Sequence, residues 1–381
     1  MTRVSGDWIK SPPAQRLCKV LERAGHKAFF VGGCVRNDLL GAPISDLDLS
    51  TDARPDRIIQ IANDAGMRPV PTGIDHGTVT VIVAGEPFEV TTFRKDVETD
   101  GRRAVVAFSD HIEDDARRRD FTMNALYAAS DGSVIDPLDG LADLKARRVR
   151  FIDDAEARIR EDYLRTLRFF RFQAWYGDPS LGIDPEGLAA CAQNLAGLET
   201  LSRERVGAEI TKLMAAPDPS LAVAAMARSG VLASVLPGAD PKMLPVLIHL
   251  EGDFSPDPMR RLALLGGESV AERLRLSKRD QKRLQLLRSE VGTTTLPQEL
   301  AYRHGTRVAQ DVAILRATLF EHPIDPSVWA QITTGAEATF PVKPVDLMPK
   351  LTGPALGERL GQLEAKWIAS GFALSREDLL K

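Results

Sequence analysis

Two spacings of apolar residues run along the chain, and the change falls about a third of the way in. Residues 14–24 (AQRLCKVLERA) set Leu17, Val20, Leu21 and Ala24 on one helical face, with Gly25 as the stop. AFFVGG at 28–33 reads as a buried strand entering a glycine turn. DLDLS at 46–50 alternates as a half-buried strand does, and 55–65 is a helix opened by Pro55 and ended by Gly66. TVTVIV (78–83) and FEVTTF (88–93) flank Ala84-Gly85-Glu86-Pro87 as the arms of a hairpin. The charged stretch from Arg94 to Asp115 has no clear period and reads as a long loop. Beyond about residue 140 strand signals almost vanish. Helices are predicted over 154–176, 184–197, 203–215, 219–229, 257–265, 269–290, 297–302, 307–321 and 355–369. The pattern predicts an α+β head over 1–140, a helical neck over 141–200 and a helical body and tail over 201–381.

Composition narrows the class. A chain of 381 residues is too long for one compact core. With 44% hydrophobic and 27% charged residues it is an ordinary globular chain, not a disordered one. Three scattered cysteines, Cys18, Cys34 and Cys191, exclude a disulfide framework or a CxxC zinc site and suit a reducing compartment, so a cytoplasmic location is expected. The first fifteen residues hold no apolar leader, and no run is long enough to span a membrane. Forty-nine basic against 53 acidic residues leave a net charge of −4, so any polyanion must be met by a local patch.

The densest chemistry lies in VGGCVRNDLLGAPISDLDLST, from Val31 to Thr51. Gly32 and Gly33, following a strand, let backbone N–H groups approach an anion that a Cβ would block. Arg36 can add a guanidinium to the same anion. Asp46 and Asp48 lie two apart, so a strand directs both carboxylates to one face, where they repel. A divalent cation relieves that repulsion, and hard oxygen donors suit Mg²⁺. Taken alone, Asp-x-Asp is a polar turn with two solvated acids; a GG-x-x-R segment feeding it favours the metal site.

The order GGCVRNDLLG, DLDLST, HGTVTV (76–81), FEVTTFR (88–94), RRDFTMNAL (118–126), DPLDG (136–140) and EDYLRTLRFFRF (161–172) resembles the class II tRNA nucleotidyltransferases, the CCA-adding enzymes, and bacterial poly(A) polymerases. Both belong to the polymerase-β-like nucleotidyltransferase superfamily. The likeness covers about residues 28–175; Asn37 departs from it, standing where the family usually has Asp. The resemblance implies a nucleotidyltransferase head of mixed sheet and helices, then an all-α neck, body and tail. It implies template-independent addition of CCA to the tRNA 3′ end from CTP and ATP, with Mg²⁺ on Asp46 and Asp48. It further implies that Gly33 and Arg36 contact the triphosphate, with Gly32 in the same turn, and that Arg119 reaches the phosphates. Asp120 and Asn124 would address the ribose or order the site. Glu89 is either a third carboxylate near the metals or a strand acid paired with Arg94 or a lysine. Asp136 and Gly140 read as a structural joint.

Asp162 and Arg165 stand three apart on the predicted helix, so they are neighbours on one face. A carboxylate acceptor beside a guanidinium donor can match the amino group and ring nitrogen that cytosine and adenine share. Uracil and guanine would leave the pair mismatched. The plainer reading is a surface ion pair. Arg168 and Arg171 continue the spacing, and the resemblance sets both near the triphosphate. Asp100-Gly101 and Arg102-Arg103 resemble the flexible loop of CCA-adding enzymes. Basic residues cluster between Lys145 and Arg171, and again at Lys278, Arg279, Lys282, Arg283 and Arg288. The second group is either a solvated helix face or a surface for tRNA phosphates. No membrane contact and no stable protein partner are predicted. The alternatives are a poly(A) polymerase, an A-only tRNA nucleotidyltransferase, an inactive RNA-binding relative and a small-molecule nucleotidyltransferase. No histidine is followed by Asp, and phosphate-loop and Gly-x-Ser-x-Gly motifs are missing.

Overall fold

A computed structural model describes the backbone of residues 2–100 and 103–381, with the side chains of all of these but 96–106. It divides into two compact units, 1–237 and 238–381. Among the described residues nine strands belong to the first: β1 Ala28–Val31, β2 Asp48–Thr51, β3 Arg68–Gly73, β4 Thr78–Val83, β5 Glu86–Thr92, β6 Arg94–Asp100, β7 Arg103–Phe108, β8 Tyr127–Ala128 and β9 Val134–Ile135. Seven form one sheet in the order β3-β4-β5-β2-β1-β8-β9. Within it β2 and β5 run parallel, and the other neighbours are antiparallel.

The sheet follows from its alternation. Val79, Val81 and Val83 of β4 are buried while the residues between them are half-exposed. The helices Pro12–Arg23 and Pro55–Asp64 pack on the sheet, burying Leu17, Leu21, Ile58 and Ile61. Each such side chain contributes about 1.5–3 kcal/mol by leaving water.

Three expectations change. The stretch expected as a long loop is largely a two-stranded antiparallel ribbon, with Arg94 opposite Phe108, followed by the helix Ile112–Arg117. Backbone pairing needs no apolar period, and the first strand, RKDVETD, is almost all charged or polar, so that arm leaves no signature in the pattern. Of the expected Asp100-Gly101 turn and Arg102-Arg103 pair, Gly101 and Arg102 lie outside the described residues. The helix expected over 154–176 is two, Ala155–Glu161 and Leu164–Tyr176, with Asp162 extended between them at φ −152°, ψ 104°. The helix expected over 269–290 is also two, Val270–Arg273 and Lys278–Val291. Arg275, at φ 48°, is left-handed, and Ser277 caps the second helix by accepting from the Asp280 N–H at 3.1 Å.

Four phenylalanines fix the helix Leu164–Tyr176 to the head. Phe121 lies 5.0 Å from Phe151 and 4.8 Å from Phe172 between ring centroids, and Phe151 lies 5.2 Å from Phe169. All four are buried. The joint is held by Asp136, whose two carboxylate oxygens accept from the Gly140 and Leu141 N–H groups at 2.8 and 2.9 Å. A Cβ on Gly140 would overlap the Thr122 carbonyl, so that position is closed to larger residues.

The second unit is helical. Its interior holds a buried ionic cluster in which Arg260, Arg261, Glu251, Asp257 and Asp311 are each less than 5% exposed. Among the described residues no helix is long and apolar enough to cross a membrane.

Candidate active site

The chain leaves β1 through Gly32, at φ 72° and ψ −116°, and enters the helix Gly33–Leu40. A Cβ on Gly32 would be strained there and would stand 3.4 Å from Arg119 Nη1 and 3.6 Å from the Asn124 carbonyl oxygen. Across the sheet, β2 opens at Asp48, directly opposite Glu89 in the parallel register with β5. Asp46 falls just before the strand rather than on it. The two aspartates, Glu89 and Glu86 line one open pocket of about 510 Å³. Asp48 is reachable by water yet crowded by the wall around it. Burial raises its carboxyl to about 6, and Glu89 and Asp46 push the same way, against the pull of Arg119. Among the described residues no three metal-ligating side chains already converge on one point.

Behind this pocket a chain of polar contacts links three motifs. Arg36 is 6% exposed; its guanidinium donates to Asn37 Oδ1 at 2.8 Å, to the Tyr176 hydroxyl at 2.9 Å and to Asn124 Oδ1. Asn124 donates to Asp120 Oδ1 at 2.8 Å, and Asp120 Oδ2 accepts from Arg168 Nε at 2.7 Å. Burial alone would raise the Asp120 carboxyl, but Arg168 and Asn124 bring it down to about 2. Arg36, Arg168 and Arg171 all face the Phe172 ring, at 5.0, 5.4 and 4.6 Å from its centroid. Three-residue spacing turns a helical stripe, and Asp120 and Glu209 nevertheless hold both helix arginines beside the Phe172 ring that Arg36 also faces. Arg119 is held by Asp115 at 2.9 Å and the Tyr127 hydroxyl at 3.2 Å.

Asp162 and Arg165 are not neighbours on one helix. The carboxylate of Asp162 accepts from the Leu164 N–H at 3.1 Å and from Arg205 at 2.7 Å, so it serves as a cap where the chain straightens. Arg165 turns instead to Glu161 at 2.6 Å and to the Arg118 carbonyl at 2.8 Å. Their side chains make no ion pair with each other. In the second unit Lys278, Arg279 and Lys282 are exposed. Arg283 points inward instead, bonding Asp257 at 2.8 Å and Asp311, and Arg288 donates to the Gly266, Gly267 and Leu262 carbonyls. These two are spent on the fold.

Several partners escape sequence reasoning: Asp115, Tyr176, Glu161, Arg205 and Glu209, which binds Arg171 at 2.5 Å. Only Glu161 carried a signal, standing beside Asp162 in a quoted motif.

A glycine turn over a mixed sheet, one acid heading a central strand with a second two residues before it, and a following arginine-rich helix define a polymerase-β-like nucleotidyltransferase. Residues 28–150 match the family described as "Poly A polymerase head domain", and 180–243 match "Probable RNA and SrmB- binding site of polymerase A". A curated relative, the mouse (Mus musculus) "CCA tRNA nucleotidyltransferase 1, mitochondrial", is 32% identical over 96% of this chain and 88% of its own length. The "CCA-adding enzyme" of Limosilactobacillus fermentum is 43% identical over 53% of this chain and 49% of that one. Among solved structures, the Bacillus stearothermophilus CCA-adding enzyme in complex with CTP aligns over 94% of both chains, with a TM-score of 0.77 and 27% identity. The chain belongs to the CCA-adding tRNA nucleotidyltransferase family. Membership implies dependence on a divalent metal. The acid-lined pocket fits one: its donors are hard carboxylate oxygens, and the repulsion that raises Asp48 is what a cation removes.

Proposed function

We propose that this enzyme rebuilds the 3′ end of tRNA by adding C, C and A in turn from CTP and ATP. The tRNA 3′-oxygen bonds to the α-phosphorus as the bond to pyrophosphate breaks, and the hydroxyl proton passes to water. One observation carries the assignment of residues. The Arg36–Asn124–Asp120–Arg168 chain couples the glycine turn, next to the acid pocket, to the helix that begins after Asp162. In this reading, phosphates beside the turn and a base beside Asp162 would be served by one connected network.

In this reading Asp46 and Asp48, with Glu89, hold Mg²⁺, which when bound favours ionisation of the attacking hydroxyl and offsets charge on the pyrophosphate. The Gly32-Gly33 backbone, Arg36, Arg119, Arg168 and Arg171 grip the triphosphate, and Asp120 and Asn124 hold those guanidiniums in place. Asp162 accepts from the exocyclic amino group of C or A, and Arg165 donates to the ring nitrogen. Glu161 supports Arg165 by fixing its direction. Lys278, Arg279 and Lys282 are assigned to tRNA phosphates. The free, buried cysteines suit a reducing compartment, and we place the enzyme in the cytoplasm, which cell fractionation tests.

Incubation with Mg²⁺, CTP, ATP and tRNA lacking its last three nucleotides is the direct test. The expected product ends in CCA and grows no further. Incorporation of A alone would make it an A-adding enzyme, and a long tail from ATP alone a poly(A) polymerase. In the same assay Asp162→Ala is expected to admit UTP and GTP, and unchanged base choice would remove Asp162 from the selecting role.

A further inference from the structure

The helix Arg203–Met214 packs along the helix Leu164–Tyr176 and contributes two charged side chains one turn apart. Glu209, 5% exposed, takes Arg171 at 2.5 Å, and Arg205 takes Asp162 Oδ2 at 2.7 Å. Each meets a residue of opposite sign, so the pairing fixes the register of one helix against the other. The other carboxylate oxygen of Asp162, Oδ1, is held by the Leu164 N–H at 3.1 Å. A carboxylate on an extended residue would otherwise turn freely about its side-chain bonds. Here both oxygens are anchored from the protein side, which restricts how the carboxylate can turn.

From this geometry we infer that Arg205 is a positioning residue for base choice, acting by aiming the carboxylate of Asp162. The inference rests on the assignment of Asp162 to the base. A lone carboxylate can accept from any N–H, including those that uracil and guanine present at their ring nitrogens. Discrimination requires that it lie where cytosine and adenine carry the amino group, and nowhere else. Arg205 supplies that restriction without touching the nucleotide. The side chains of Arg205 and Asp162 are each 28% exposed, so the pair lines a surface open to a ligand and is not sealed in the core.

The experiment compares Arg205→Ala, Arg205→Lys and Asp162→Ala by kcat/KM for each of the four nucleoside triphosphates on tRNA ending in its first C. Thermal melting and tRNA binding are recorded for every variant. Arg205→Ala is expected to lower the preference for CTP over UTP by on the order of tenfold or more, with tRNA binding kept. Arg205→Lys is expected to fall between, because an ammonium restores charge but not the directed fork of the guanidinium. A uniform loss across all four nucleotides, alongside a relaxed Asp162→Ala, would overturn the role of Arg205 alone. Unchanged selectivity in Asp162→Ala would overturn the reading beneath it. Where Arg205→Ala fails to fold, the ratio measured for Arg205→Lys decides.

Discussion

Asp48→Asn is expected to lower nucleotide incorporation by about three powers of ten or more while leaving the metal-free protein at least as stable as before. Under the proposed assignment of Asp48 to the metal, the loss follows from removing a ligand to an ion that contributes several kcal/mol at the reacting phosphate. The stability follows from the pocket itself. Asp48 sits opposite Glu89 and two residues from Asp46, and burial and both acids raise its carboxyl to about 6. A neutral amide of the same shape ends that repulsion, so the melting temperature in a chelator is expected to rise. Divalent cation should raise the melting temperature of the parent protein and have little effect on the variant. Retained turnover in Asp48→Asn, or in Asp46→Ala, would overturn the metal assignment.

The second large effect concerns a residue that the nucleotide never meets. Asp115 is fully buried and accepts from Arg119 and the Tyr127 hydroxyl at 2.9 and 2.7 Å, and it pairs with Arg118 at 2.6 Å. Burial opposes its ionisation, but Arg118 and Arg119, with the Tyr127 hydroxyl, hold the carboxyl well below the usual range. Asp115→Ala would strand two guanidiniums, and a loss of about 3–5 kcal/mol is expected from breaking a buried pair on one side. Denaturant titration reads it. A depressed carboxyl stabilises the fold above its unfolded value, near 3.8, and that contribution disappears as pH falls through the lower folded value. The parent should therefore lose stability on acidification below about pH 4, and the difference between parent and Asp115→Ala should shrink there. A constant gap between them from neutral pH into that range would assign the loss to packing instead.

These expectations show what the chain discloses in its order of residues and what it conceals. Asp48, Gly32, Gly33 and Arg36 were legible because a strand, a tight turn and a helix start act on neighbours in sequence, whereas Asp46, expected on that strand, falls just before it. Glu89 was legible as a hairpin residue beside the acid strand, and the register places it opposite Asp48. The partners of the arginines were not, since Asp115, Tyr176, Arg205 and Glu209 meet them only through packing. The break at Asp162 was hidden because apolar spacing runs through it, while its carboxylate accepts from the Leu164 N–H two residues on, where the helix is interrupted. Arg283 looked like part of a basic stripe for the same reason that it is not one: spacing reports a face, but not the acids that another helix brings to it.

The arginines assigned to the triphosphate already have partners before any nucleotide arrives. Arg119 rests on Asp115, Arg168 on Asp120, Arg171 on Glu209 and Arg36 on Asn124 and Tyr176. Their rotamers are frozen when the chain folds. Immobilising a long side chain at a binding site costs about 0.5–1.5 kcal/mol, and with four of them that entropy is charged to folding, where hydrophobic burial meets it. The incoming triphosphate then finds donors that need no further ordering. An enzyme that adds two different nucleotides without a template strand to help it keeps more of its binding energy for telling bases apart.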